Sequence, residues 1–63
     1  MRVIYYRSCF VDISAARLYT SYMDEHEIAY NADTYGDHMY ITCYGYSKDM
    51  IEFNKWVLRT FRP

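Results

Sequence analysis

On either side of the dipeptide Gly36-Asp37, residues 28–44 alternate with period two, and few local structures satisfy that pattern. Glycine adopts the positive φ that a tight turn demands, and period-two alternation places successive side chains on opposite faces of a pleated strand. The spacing predicts a hairpin with strands over residues 28–35 and 38–44. With Tyr35 opposite His38, Thr34 faces Met39, Ala32 faces Ile41 and Tyr30 faces Cys43. Together with Ile28 these pairs make one apolar face. The other face carries Ala29, Asn31, Asp33 and Tyr35 against Tyr44, Thr42, Tyr40 and His38. A slip of one residue would exchange the two faces, so turn and pattern specify the same register.

The flanking segments are read from the same kinds of signal. Val3, Ile4, Tyr5 and Tyr6, lying between Arg2 and Arg7, predict a first strand over residues 3–6. Asp12 or Ser14 suits the N-cap of a helix reaching about residue 26. At about 100° per residue, Ala15, Leu18, Tyr19, Tyr22, Met23 and His26 share one side of it. Arg17, Thr20, Ser21, Asp24 and Glu25 take the other. A second helix is expected over residues 48–61, with Ser47 as its cap and Asp49 at its positive end. Met50, Phe53, Val57, Leu58 and Phe61 form its apolar stripe; Lys55, Arg59 and Arg62 suit its C-terminal end, and Pro63 closes the chain. Trp56 stands about 140° from the centre of that stripe, so it either folds over the helix edge or serves as an anchor for a partner.

Strand, helix, strand, strand, helix is a restrictive order. A right-handed crossover sets the first strand parallel to the second, which leaves the third in the centre. The expected architecture is a single α+β domain over residues 1–63, βαββα, with sheet order 1-3-2 and both helices on one face. It is a ferredoxin-like split βαβ lacking its last strand. One sheet face is then uncovered, and the first strand has a free edge.

Composition narrows the class. A content of 52% hydrophobic and 24% charged residues, with two glycines and one proline, describes a folded chain with little loop. No apolar stretch spans a bilayer, and residues 3–6 are too short for a signal-peptide core. Two cysteines are too few for a disulfide framework, so Cys9 and Cys43 read as reduced thiols in a cytoplasmic protein. With the first strand ending at Tyr6, they fall about four residues, roughly 13 Å, apart, which disfavours a bridge.

Chemistry-bearing patterns are sparse. There is no phosphate loop, and neither His26 nor His38 has a partner at metal-ligand spacing, so no metal, cofactor or catalytic residue is expected. A Cys9–His38 nucleophile pair is geometrically conceivable but has no motif around it. Recognition residues are abundant by contrast: nine tyrosines, of which Tyr35, Tyr40 and Tyr44 belong on the uncovered face with Tyr5 or Tyr6. Such rings also stabilise sheets as cross-strand pairs, but a small domain rarely leaves a contiguous aromatic patch uncovered.

Charge is polarised along the chain. Residues 18–47 hold no lysine or arginine, while Asp24, Glu25, Glu27, Asp33 and Asp37 lie within them. Both flanks are basic. Three carboxylates at a helix C-terminus oppose its dipole; they form either a solvated end or an acidic patch for a basic partner.

These features point to a non-enzymatic protein-binding module, a small inhibitor of phage or mobile-element type that occupies a basic surface of a nucleic-acid-handling protein. Tyr35, Tyr40, Tyr44, Asp24, Glu25, Glu27, Asp33, Asp37 and Trp56 would carry the contact, and the free edge suggests a homodimer. One alternative is single-stranded nucleic-acid binding through the tyrosine face. The topology superficially resembles the RNA-recognition motif, whose rings stack on bases. The segment over residues 38–44 lacks that family's glycines and basic residue, however, and the acidic middle would repel phosphates. A small dimeric ligand-binding regulatory domain is the other alternative.

Overall fold

In the computed structural model, residues 3–61 are described. Arg2, Arg62 and Pro63, which the sequence pattern assigns to element ends, lie outside them. The elements are β1 (Ile4–Asp12), α1 (Ile13–Glu25), β2 (Ala29–Tyr35), β3 (His38–Tyr46) and α2 (Ser47–Phe61). β3 is the central strand and pairs antiparallel with both neighbours, giving the order β1-β3-β2. The hairpin register is the expected one, Tyr35 opposite His38 through Tyr30 opposite Cys43. Gly36 carries φ 62°, which the turn requires and other residues resist.

β1 is nine residues long rather than four, and it pairs with the whole of β3, from Ile4 opposite Tyr46 to Asp12 opposite His38. The polar pair that suggested an early end is satisfied within the sheet. Arg7 turns toward the helices, donates to Asn54 Oδ1 at 2.6 Å and lies over the Phe53 ring. Ser8 Oγ shares a hydrogen bond with Thr42 Oγ1 across the strands. No loop remains before α1: the Ile13 N–H donates to the Asp37 carbonyl at 3.0 Å. Asp12 occupies the N-cap position, yet its side chain makes no capping bond because it is held by His38.

β3 also runs two residues further than the alternation suggested, and α2 follows it without a break. Gly45 allows this. A Cβ there would stand 2.8 Å from Met50 Cε and 3.3 Å from Asp49 Cβ, so the first turn of α2 lies directly on the strand.

Met23, Ile41, Cys43 and Phe53 are fully buried, and Ala16, Tyr19, Tyr22 and Ile28 complete the core between the sheet and the helices. Both helices are rotated from their expected phase. In α1 the small Ala16 faces inward while Leu18 is 49% exposed and His26 is exposed. In α2 the stripe centres on Phe53, which leaves Leu58, about 140° away, in solvent and brings Trp56, about 60° away, inside. Trp56 stacks on Tyr22 at 4.5 Å and meets Tyr19 edge-on at 5.6 Å, and Phe61 stacks on Tyr19 at 5.1 Å. Trp56 is thus folded over the helix edge and belongs to the packing between helices.

α1 ends in a Schellman motif: the Ile28 N–H donates to the Met23 carbonyl at 2.8 Å and the Glu27 N–H to the Asp24 carbonyl at 3.3 Å. Ile28 and Met23 are both buried, which supplies the apolar contact of that motif. Its left-handed position, φ 55°, is held by Glu27 where glycine is preferred. A side chain in this conformation costs about 1 kcal/mol, and a carboxylate near a helix C-terminus adds to the cost. Glu27→Gly is therefore expected to stabilise the domain by about 1 kcal/mol, seen as a higher urea midpoint at unchanged m-value. An unchanged or lower midpoint would contradict this reading of the cap.

Candidate binding face

Strand parity distributes the side chains. Tyr5, Arg7, Cys9 and Val11 of β1 point toward the helices, as do Met39, Ile41, Cys43 and Gly45 of β3. The opposite face is uncovered. It carries Ile4, Tyr6, Ser8, Phe10 and Asp12 from β1, His38, Tyr40, Thr42, Tyr44 and Tyr46 from β3, and Ala29, Asn31, Asp33 and Tyr35 from β2. Tyr6 is 73% exposed and Phe10 60%, and Tyr35, Tyr40, Tyr44 and Tyr46 are exposed as well. Phe10, Tyr40, Tyr44 and Tyr35, with Asn31, Asp33 and Thr42, line a shallow concavity in the face. Asn31 Nδ2 donates to the Tyr44 hydroxyl at 3.3 Å and so helps to orient that ring.

Tyr35, Tyr40 and Tyr44 therefore share the face expected for them, with both Tyr40 and Tyr44 away from the helices. Of the two first-strand tyrosines it is Tyr6 that joins them, opposite Tyr44; Tyr5 lies on the helix side. Sequence reasoning missed Ile4, Phe10 and Tyr46 as members of this surface. Had the first strand been extended through Phe10, the same period-two rule would have placed that ring.

At one end of the face, three side chains lock the chain together. The His38 ring lies between two carboxylates, with Nε2 2.9 Å from Asp12 Oδ1 and Nδ1 2.8 Å from Asp37 Oδ1. A carboxylate accepts, so a ring N–H is the donor wherever one of these contacts is a hydrogen bond. Phe10 stacks on the same ring at 4.9 Å and 7°. β1, the start of α1 and the hairpin turn meet here.

The acidic residues, close together in sequence, do not gather at one end of the molecule. α1 delivers the chain to the start of β2, and the turn follows the end of β2. Asp24, Glu25 and Glu27 are thus separated from Asp37 by seven strand residues, about 23 Å. Asp33 lies on the open face opposite Tyr40. The helix-end group is not remote from cations either: Glu25 lines a groove that Lys48 and Arg59 also line, together with Trp56. Asp24 instead acts on Tyr30, whose hydroxyl is pushed up by partial burial and by the carboxylate beside it.

The thiols stand closer than expected, because Cys9 lies within β1. It faces Ile41, while Cys43 faces Arg7, so the two are diagonal neighbours on the helix side, about 7–8 Å apart. Both are free, and Cys43 Sγ donates to the Arg7 carbonyl. Burial raises both thiols, Arg7 partly opposing it, so neither is an activated thiolate. Cys9 and His38 sit on opposite sheet faces, which rules out the nucleophile pair. Among the described residues no group of histidine, cysteine and carboxylate side chains is placed to hold a metal, and no helix is long and apolar enough to cross a membrane. No protein-family model matches this chain, and neither a curated protein nor a solved structure is significantly similar to it.

The hydrogen bond from His38 holds the Asp37 carboxyl below its ordinary value, with the charge of the ring adding to the effect. A carboxylate lowered in the folded state contributes stability above its unfolded value, near 3.9, and loses it as pH falls through the folded value. Asp37→Asn removes the titrating group. The variant is expected to be less stable than the parent at pH 7, with the gap closing as pH falls below about 4. Urea midpoints measured across that range would show it; a gap that stays constant with pH would contradict the linkage.

Proposed function

We propose that this chain is a non-enzymatic protein-binding module that uses the open sheet face to cover a basic surface of its partner, in the manner of a small inhibitor. One observation carries the reading. The face presents six exposed rings, Tyr6, Phe10, Tyr35, Tyr40, Tyr44 and Tyr46, together with Asp12 and Asp33, and among the described residues it contains no lysine or arginine. Tyrosine offers rigid contact area at low conformational cost, with a hydroxyl to satisfy its tip.

The missing cations favour a protein over a nucleic acid. Binding a single strand couples base stacking to a basic groove that tracks the phosphates. Among the described residues this face supplies rings and polar side chains but no lysine or arginine, and Asp12 and Asp33 repel phosphate. A protein surface rich in arginine fits both features, because guanidinium groups stack on aromatic faces and pair with carboxylates. Nucleic-acid-handling proteins commonly own such a surface. Asp24, Glu25 and Glu27, at the far end of α1, would act on approach rather than in the contact.

The test is affinity capture from lysate, with and without nuclease, using the parent chain and Tyr40→Ala/Tyr44→Ala. Both rings are partly exposed, so the fold is expected to survive. Anchors of this kind contribute about 2 kcal/mol or more each, so retention by the double variant should fall at least about tenfold, while nuclease leaves parental capture intact. Capture abolished by nuclease would contradict the proposal, as would capture unchanged in the double variant.

A further inference from the structure

β1 is an edge strand with an unusual lack of protection. Nine residues run without a bulge, and they include no proline, glycine or lysine. Edges of that kind are templates for pairing. The other edge, β2, is shorter, carries Asp33 and lies beside Asp24. The one cation in β1 does not guard its edge: Arg7 is drawn back onto Asn54 and the Phe53 ring.

The register shows which backbone groups are free. A two-residue turn makes Tyr35 and His38 a hydrogen-bonded pair, so even-numbered residues of β3 direct their N–H and C=O toward β2 and odd-numbered ones toward β1. Residues 5, 7, 9 and 11 are therefore bonded to β3, and the Ile13 N–H donating to Asp37 continues that series. Ile4, Tyr6, Ser8, Phe10 and Asp12 present their backbone groups outward.

We propose that β1 pairs antiparallel with β1 of a second copy, centred on Ser8, joining two three-stranded sheets into one of six strands. The side chains select this two-fold register over its neighbours. Centring on Arg7 sets two guanidinium-bearing residues opposite each other, and centring on Cys9 sets Tyr6 against Asp12. Centring on Ser8 sets Ile4 against Asp12 at each end, but it alone of the three sets Tyr6 against Phe10 of the other copy, twice, with Tyr5 against Val11. Tyr6 and Phe10 are the two most exposed rings of the molecule, at 73% and 60%. The two-fold axis stands perpendicular to the sheet, so both open faces lie on the same side and the aromatic surface is doubled. The pairing stands independently of the partner proposed above.

Sedimentation of the purified chain tests it. The expected species has twice the 7.7 kDa chain mass, in a concentration-dependent equilibrium. Ser8→Pro removes an outward N–H that β3 does not use, a position where an edge strand tolerates proline. That variant should keep its far-ultraviolet spectrum and lose the dimer over the same concentration range. If it fails to fold, Tyr6→Lys/Phe10→Lys should lose the dimer instead, since both rings lie outside the core. In a Cys9→Ser background, Ser8→Cys should cross-link two copies on mild oxidation, whereas Phe10→Cys should not. A species of 7.7 kDa alone at millimolar concentration would overturn the proposal. So would a folded edge variant that remains dimeric, or a Ser8→Cys chain that does not cross-link.

Discussion

The rings between α1 and α2 hold the domain together. No α-carbon of one helix comes within 8 Å of the other among the described residues, so the helices are joined by long side chains rather than by close backbone packing. Phe53 is fully buried in one core with Ile41 and Cys43, Tyr19 and Tyr22 contact its ring, and Trp56 packs against both Phe53 and Phe61. Losing a ring of this kind from a core costs about 3–5 kcal/mol. Whole domains have only about 5–15 kcal/mol of stability, and one this small lies toward the low end. With so much of the apolar material committed to one side, no third layer lies on the other among the described residues. The uncovered face is a direct consequence of that two-layer plan.

The hairpin was legible because two independent signals agreed. A glycine suited to positive φ and a period-two pattern specify the same register, and both are local. The extent of β1 was not legible, because Arg7 and Ser8 look like strand terminators until Asn54 and Thr42 are brought to them from distant parts of the chain. The helix phases went astray for a related reason. Leu18 and Leu58 are apolar and fit a plausible stripe, but the sheet accepts the faces centred on Tyr19 and Phe53. Reading Leu58 and Phe61 as stripe residues pulled the expected centre of α2 away from Trp56, although Trp56 is only about 60° from Phe53.

The surface was legible to the same degree as the strands beneath it. Tyr35, Tyr40 and Tyr44 follow from the hairpin; Phe10 and Tyr46 required strand lengths that only tertiary pairing sets. The acidic segment shows the opposite error. Its members are close in sequence, but a seven-residue strand lies between the helix-end group and the turn, and Lys48 and Arg59 of another element line a groove together with Glu25. Charge read along a chain is not charge read in space.

Solvent paramagnetic relaxation enhancement of the aromatic protons tests the one-sided core most directly. A soluble probe should broaden the ring signals of Tyr6, Phe10, Tyr35, Tyr40, Tyr44 and Tyr46 strongly. It should leave Phe53, Tyr19 and Tyr22 protected. Protected rings on the open face, or an accessible Phe53, would contradict the account.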